Sequence, residues 1–410
     1  MEIYLVGGAI RDSYLNLPVK DKDWVVVGAT PELMVQQGFK PVGKDFPVFL
    51  HPFSGEEYAL ARTEKKIGHG YTGFTCNATP YITLQQDLER RDLTINAIAC
   101  DAHGNYYDPF NGFSDLKNRI LRHISNTFNE DPLRLLRVAR FAATYAHLNF
   151  TIADETLALM YAMSNSGELN HLTVERIWKE TERALHSRNP ELYFQVLKDC
   201  NALAIIFPEL NNLFKKNITN KYNKILNLGV HTLNSLSIAT KISSKIEIRF
   251  AILCHDFGKI SLSNKLDDCY KQHKKIGVEI VCKFCQRLRI PKYLKKIAIL
   301  TINFHRFVHH IYQLKPHNII NLFYKIDAWR NPYRIEQLAI ISEADTRSFP
   351  GYEKKKYFQG NYFRRLFKIA NKVKFEEINK NNSNHGLDIN KKIFNLRSKA
   401  IKNCKNDHYS

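Results

Sequence analysis

No stretch of this 410-residue sequence approaches the roughly 18–20 consecutive apolar residues of a bilayer-spanning helix, so a helical membrane protein is excluded. Met1-Glu2-Ile3-Tyr4 has neither the basic start nor the apolar core of a secretory signal, and a cytoplasmic protein is expected. Cysteine is sparse: eight scattered residues make no disulfide framework, and Cys100 and Cys254 lie in apolar segments where a reduced thiol acts as a small hydrophobe. Cys282 and Cys285 form a lone Cys-x-x-Cys with no second pair to finish a zinc site, so core packing is their expected role. No fixed-period repeat is present. Acidic residues are also short, 40 against 60 basic, which leaves a net charge of +20 and points to a polyanionic partner such as nucleic acid or an anionic membrane surface.

What is present is enough for several cores. The chain is 44% hydrophobic and 12% aromatic, and at roughly 100–200 residues per domain it should hold two to four. The charge is uneven. Residues 1–100 carry 10 basic and 12 acidic side chains, whereas 351–410 carry 15 and 5, so the N-terminal part is not the main polyanion surface. Short β-like runs at 3–6, 24–27, 57–61 and 105–108 alternate with helical patches, which predicts an α/β unit over 1–125. From about 126 the apolar spacing turns helical, over 128–145, 154–163, 173–186 and 190–200, which predicts an all-α neck and body to about 220. A second all-α unit is expected over 228–350. Beyond it, 351–410 is Lys- and Asn-rich and is expected to be a marginally ordered, solvated tail.

Two groups in the first unit carry chemistry. The run 3–6 leads into Gly7-Gly8-Ala9-Ile10-Arg11-Asp12, a strand-to-helix turn where glycine allows close backbone approach and Arg11 offers a fork for phosphate oxygens. Asp21-Lys22-Asp23 then opens Trp24-Val25-Val26-Val27-Gly28. Residues i and i+2 of a strand face the same way, so two carboxylates share one edge and can hold a divalent cation for nucleotidyl transfer. Alone, each group reads as a bare turn or a solvated acidic one. Together they make a phosphate-and-metal site. Arg90 and Arg91 suit triphosphate contacts, and Asn96 a sugar hydroxyl.

At Glu130-Asp131-Pro132-Leu133-Arg134, Asp131 fits an N-cap and Pro132 the first helical position. Arg134, Arg137 and Arg140 follow every three residues. A solvated basic face would explain them, but a sharper reading exists. Cytosine and adenine each present an exocyclic amine beside an unprotonated ring nitrogen; a carboxylate would accept from the amine while a neighbouring guanidinium donates to the ring nitrogen. Uracil and guanine would be mismatched. Asp131 and Arg134 could therefore select C and A with no nucleic-acid template.

These words together resemble the bacterial CCA-adding enzymes, the second class of tRNA nucleotidyltransferases, within the polymerase-beta-like superfamily. The matching segments are Leu5 to Asp12, Asp21 to Gly28, Arg90 to Ala97, Asp108-Pro109-Phe110-Asn111-Gly112 and Glu130 to Arg134. Similarity extends through about 350 and includes Thr173 to Glu180. The resemblance implies an α/β nucleotidyltransferase head followed by an all-α neck and body. Asp21 and Asp23 would bind Mg2+, and Gly8, Arg11, Arg91, Arg137 and Arg140 would contact CTP or ATP. Asp131 and Arg134 would act as the amino-acid template, and tRNA would be the partner. No oligomeric state beyond a monomer or homodimer is implied.

A second constellation lies at Leu253-Cys254-His255-Asp256-Phe257-Gly258-Lys259, with His231 before it and His273, His305 and either Asp327 or Asp345 after it. Imidazoles and carboxylates on neighbouring helices can build a divalent transition-metal site that activates water against phosphoesters. It resembles the all-α HD phosphohydrolase domain of the gammaproteobacterial-type CCA enzymes. The resemblance implies 2′,3′-cyclic phosphodiesterase, 2′-nucleotidase and phosphatase activities with Ni2+, His255 and Asp256 as catalytic residues, and His231, His255, Asp256 and His305 as ligands. The segment 265–275 departs from the family pattern, keeping one histidine where a His- and Gly-rich stretch is expected. A poly(A) polymerase, a uridylyltransferase sensor and an RNA-binding protein with a dead site are the rival readings. The Glu-Asp-x-x-Arg word, the short C-terminal room for sensing domains and the intact Asp21 and Asp23 weigh against each in turn.

Overall fold

Val25 and Val26 are adjacent in one strand and both buried, and since neighbours in a strand face opposite ways, both faces of that strand must be covered. The computed structural model shows how, over residues 1–42, 47–66, 74–219, 225–261, 269–373 and 386–406. Nine strands are used here: β1 Glu2–Val6, β2 Asp23–Val27, β3 Lys40–Val42, β4 Val48–Leu50, β5 Glu57–Leu60, β6 Thr63–Lys66, β7 Phe74–Asn77, β8 Ala99–Cys100 and β9 Tyr106–Tyr107. Seven form one mixed sheet in the order β3-β4-β5-β2-β1-β8-β9, with β6 and β7 a separate hairpin. The β2 strand runs antiparallel to β1 and parallel to β5. On one face Val25 joins Tyr4, Val6, Leu88, Ala97 and Ala99; on the other Val26 joins Met34, Phe39, Phe49, Tyr58 and Leu60.

The helices of the N-terminal unit, Met1–Phe207, are α1 Gly8–Tyr14, α2 Pro31–Gln36, α3 Leu84–Glu89, α4 Gly112–Asn118, α5 Leu133–Tyr145, α6 Asp154–Asn165, α7 Val174–His186, α8 Pro190–Asp199 and α9 Ala202–Ile206. The head is thus α/β and the rest helical. The α5 helix is its pivot: Leu135, Leu136, Val138, Ala139 and Ala143 are buried, and α7 and α8 pack on it. The helix expected over 128–145 starts five residues late. Asn126–Glu130 is a 3-10 turn, Asp131 is extended, and Pro132, at φ −63°, is the N-cap rather than the first helical residue. Proline disfavours helical geometry in the residue before it, which holds Asp131 out of the helix.

The C-terminal unit, Pro208–Ser410, is built from α10 Pro208–Phe214, α11 Leu228–Ile242, α12 Ile246–Cys254, α13 Cys269–Arg287, α14 Lys292–His309, α15 Pro316–Lys325, α16 Tyr333–Arg347, α17 Phe358–Lys372 and α18 Gly386–Asn406. Gly229 lets α10 approach α11, because a Cβ there would meet the Phe214 ring at 2.3 Å. Cys285 is buried in α13, and its thiol is pushed up to about 12, chiefly by burial. No helix among the described residues is long and apolar enough to cross a membrane.

The expectation of a solvated tail over 351–410 fails for its described helices. Tyr357, Tyr362, Phe363, Leu366, Phe367, Ala370, Ile401 and Cys404 enter one core with Ile319, Phe323, Leu338 and Ala339. A narrow i, i+3, i+4 stripe suffices to bury a helix, and the lysines on the other faces of α17 and α18 hid it in the composition. Phe363→Ala should therefore destabilise the C-terminal unit by about 3–5 kcal/mol in denaturant unfolding. A loss below about 1 kcal/mol, as for an exposed residue, would contradict the packing.

Candidate functional site

The end of β1 fixes the first site. Val6 pairs with Asp23 across the β1–β2 ladder, so the glycine turn after β1 and the carboxylate opening β2 lie at one end of the sheet. Asp21 precedes the strand by two residues, and both carboxylates are exposed. Gly7 has φ +69°, and a Cβ there would meet Arg91 Nη1 at 2.8 Å and Asn96 O at 3.2 Å. Any other residue would be strained twice. Burial disfavours the Arg91 charge; Asp87 and, more weakly, Asp23 offset that cost.

Around this turn the arginines are held by carboxylates. Arg11 donates from Nε to Asp12 Oδ1 at 2.9 Å and from Nη1 to Asn96 Oδ1, with the rings of Phe141 and Tyr145 at 5.3 and 5.2 Å. Gly8 leaves room for this, since a Cβ on it would lie 3.4 Å from Arg11 Nη2. Asn96 Nδ2 donates to Asp92 Oδ1 at 2.8 Å, and Arg137 Nε to Asp92 Oδ2 at 2.7 Å. Arg140 Nε donates to Glu180 Oε2 at 2.5 Å while lying 4.1 Å over the Phe141 ring. Asp87, fully buried, accepts from Arg90 at 2.6 Å and from Arg91 at 3.3 Å. The result is a chain of charge-assisted bonds from Asp12 through Arg11, Asn96 and Asp92 to Arg137. Each arginine is fixed in place yet keeps donors to spare, since a guanidinium has five.

The side chains of Asp131 and Arg134 do not bond to each other, although Arg134 N donates to the Asp131 carbonyl at 3.0 Å. Asp131 accepts from Leu133 N at 3.0 Å and from Arg176 Nη2 at 2.8 Å, and Arg134 donates to the carbonyls of Thr127 and Arg90. A carboxylate has about four acceptor positions and a guanidinium five donors, so both retain capacity for a base edge.

The second site lies in the C-terminal unit, where His231 comes from α11, His255 and Asp256 follow α12, His305 and His309 come from α14, and Asp345 from α16. Asp345 Oδ1 is 2.9 Å from His231 Nε2 and 3.6 Å from His255 Nε2, and its Oδ2 is 2.9 Å from His309 Nε2. Asp256 Oδ2 is 3.4 Å from His255 Nε2, and Lys259 Nζ pairs with the same carboxylate. Asp327, the alternative to Asp345, lies elsewhere and binds Arg330 and Arg334. The side chain of His273 and residues 262–268, which hold the departure from the family pattern, fall outside the described residues.

The proton inventory shows what this set fits. Ser348 Oγ gives its one proton to the Asp345 carbonyl at 2.7 Å, so His231 Nδ1, 2.9 Å away, must donate to Oγ. His255 Nδ1 donates to Ile252 O and His305 Nδ1 to Thr301 O, each at 2.6 Å. In their neutral forms these three imidazoles spend their protons outward and leave Nε2 lone pairs, of which that of His255 is buried with no hydrogen-bond partner. Nitrogen lone pairs facing carboxylates are a donor set that suits a divalent cation. Burial pushes His305 down to about 3, so it is neutral, as a ligand must be. Burial alone would also depress His255 and raise Asp345, but the carboxylates hold His255 above the usual histidine value, and the imidazoles hold Asp345 below the carboxylate range.

Comparisons with known proteins cover both regions. Family models match three stretches in order: the poly A polymerase head domain over residues 3–122, the probable RNA and SrmB binding site of polymerase A over 149–214, and the HD domain over 228–348. Solved CCA-adding enzymes match almost end to end. One described in complex with ATP is 19% identical with a TM-score of 0.64, covering 98% of this chain and 86% of its own. Another, with CTP, is 19% identical with a TM-score of 0.62, covering 98% and 87%. The Thermotoga maritima enzyme with tRNA is 18% identical with a TM-score of 0.60, covering 98% and 87%. The chain has the fold of the CCA-adding enzymes, with an HD domain.

The glycine turn, Asp21, Asp23 and the Arg91 neighbourhood fall within the head match, and His231, His255, Asp256, His305, His309 and Asp345 within the HD match. Sequence reasoning passed over Asp92, Glu180, Arg176 and His309. Glu180 had a signal, a carboxylate on the buried face of α7 beside Ile177, Thr181 and Ala184. So did His309, four residues after His305 on one helix face. Asp92 had none, because its partner Arg137 is 45 residues away.

Asp92 also gives the head an acid limit. Burial would raise its pKa, but Arg137 and Asn96 outweigh burial and hold it below its unfolded value of 3.8. The stability it adds is complete above that value and is lost as pH falls towards the lower folded value. Acid unfolding of the wild type should steepen below pH ~4, and Asp92→Asn should remove that component; identical acid limbs would contradict the assignment.

Proposed function

We propose that this chain adds C, C and A in turn to the 3′ end of tRNA from CTP and ATP, choosing each base with protein groups, as a cytoplasmic monomer or homodimer. The observation that carries this reading is the convergence at one sheet end of the Gly7 turn, Asp23 and Arg91 with the anchored arginines of α5, in a fold whose solved relatives are described with ATP, CTP and tRNA. Asp21 and Asp23 would hold Mg2+, which when bound orients a triphosphate and activates the attacking 3′-hydroxyl. Gly8 lets the backbone approach the phosphates. Arg11, Arg91, Arg137 and Arg140 present donors to phosphate oxygens, with Arg137, 34% exposed, the most accessible. Asp131 accepts from the exocyclic amine of C or A, and Arg134 donates to the adjacent ring nitrogen. A poly(A) polymerase shares the head family, and CTP incorporation separates the two.

The HD domain would hydrolyse phosphoesters such as 2′,3′-cyclic and 2′-phosphates. His231, His255, Asp256, His305 and Asp345 would hold a divalent ion, Ni2+ among the candidates, that supplies a water of lowered pKa when bound.

Replacing Asp21 or Asp23 by Ala should cut nucleotide incorporation by roughly a thousandfold or more, the equivalent of several kcal/mol of transition-state stabilisation, with tRNA affinity kept. Undiminished incorporation would refute the metal assignment. Asp131→Ala with Arg134→Ala should relax base choice by more than it weakens triphosphate binding. If competition assays still find U and G fully excluded, protein templating by this pair is wrong.

A further inference from the structure

The HD cluster holds more donors than one cation takes, and they fall into two sets. His231, His255 and Asp345 form one set and His305, His309 and Asp345 the other, with the ligand atoms of each within 4.8 Å of one another. Among the described residues no single set of mutually close atoms contains all four histidines. The two sets nevertheless touch, since the rings of His255 and His305 are 5.7 Å apart. Asp345 divides its oxygens between them, Oδ1 towards His231 at 2.9 Å and Oδ2 towards His309 at 2.9 Å.

The second set is completed from outside the matched domain. Tyr357 lies beyond the HD match, which ends at residue 348. It is buried, and its hydroxyl is 2.8 Å from His309 Nδ1, with Thr346 Oγ1 at 3.3 Å. When His309 Nδ1–H donates to the Tyr357 oxygen, Nε2 is bare and faces Asp345 Oδ2, the same arrangement that His231 and Ser348 make at the other oxygen. Tyr357 is anchored in turn by the core shared between α15, α16, α17 and α18, so the C-terminal helices, read from composition as a loose tail, set the position of a ligand.

We propose that the C-terminal unit binds two divalent transition-metal cations that share the Asp345 carboxylate, one on His231, His255 and Asp256 and the other on His305 and His309, with Tyr357 positioning the second. The proposal deepens the reading of this domain as a metal centre and rests on it. The side chains of His231, His255 and Asp256 are at most 1% exposed, whereas that of His309 is 20% exposed. The second cation is therefore the exchangeable one, and a phosphate ester enters from its side, its oxygens closing the coordination that two imidazoles and one carboxylate oxygen leave open.

The test counts cations. The full chain carrying D21N and D23N, so that the head carboxylates do not contribute, is stripped with chelator and titrated calorimetrically with Ni2+ or Mn2+; bound metal is counted by mass spectrometry after gel filtration. Two per chain are expected, in two affinity classes, with an exchange-coupled Mn2+ spin resonance spectrum. His309→Ala should bind one. Tyr357→Phe should keep two at saturation but weaken the second by roughly 10-fold or more, with the first unmoved. Asp345→Asn should lose both, and if that variant does not fold, His309→Ala, at a partly exposed side chain, carries the count. One cation per chain, unchanged in His309→Ala, would overturn the two-cation inference and leave the metal centre standing. No bound cation would overturn the metal centre itself. Equal second-site affinity in Tyr357→Phe would remove Tyr357 from it.

Discussion

Asp92 is the carboxylate on which the head depends. Buried charges are costly unless paired, and removing one partner leaves the other uncompensated. Asp92 meets Arg137 at 2.7 Å on one side and Asn96 at 2.8 Å on the other, and Asn96 in turn holds Arg11. One acid therefore ties the helix α5 to the turn after β1 and sets the register between the arginines and the sheet end that carries Asp21 and Asp23. Glu180 repeats the device for Arg140, and Asp87 for Arg90 and Arg91. The arginines are held before any nucleotide arrives, so a triphosphate meets donors that need little reordering.

The two sites solve opposite problems with buried charge. In the head the positive groups are present and their carboxylates neutralise them, leaving spare N–H donors for an anion. In the HD domain carboxylates and imidazole nitrogens face one another, and among the described residues Lys259 is the lysine or arginine paired with Asp256. The first arrangement is complete in the protein alone and suits a phosphate. The second, a set of imidazole and carboxylate donors, suits a metal ion.

Local patterns made much of this legible. Gly7-Gly8 followed by Asp21 and Asp23 could be read because each group is compact in sequence and the strand period puts the carboxylates on one edge; the β1–β2 ladder then pairs Val6 with Asp23. The α/β head and the helices after it followed from hydrophobic period. What stayed hidden depends on contacts distant in sequence. Asp92 and Arg137 are 45 residues apart, Arg140 and Glu180 40, Asp131 and Arg176 45, and His309 and Tyr357 48. The tail was misread for another reason: composition averages over faces, and α17 and α18 bury a narrow stripe while their other faces carry the lysines. The choice between Asp327 and Asp345 also needed the fold, since both lie at helix ends and only α16 faces α11 and α14.

The central claim is that Asp21 and Asp23 hold a metal ion and that protein groups beside them choose the base. The most direct measurement is incubation of the purified chain with Mg2+ and a tRNA shortened by its last three nucleotides, offering each nucleoside triphosphate alone and then in pairs, with products sized on a sequencing gel. The account predicts addition of C alone from CTP, nothing from ATP alone, three residues ending in A from the pair, and nothing from UTP or GTP. Long homopolymer growth from ATP alone, or incorporation of U or G at rates near those of C, would contradict it.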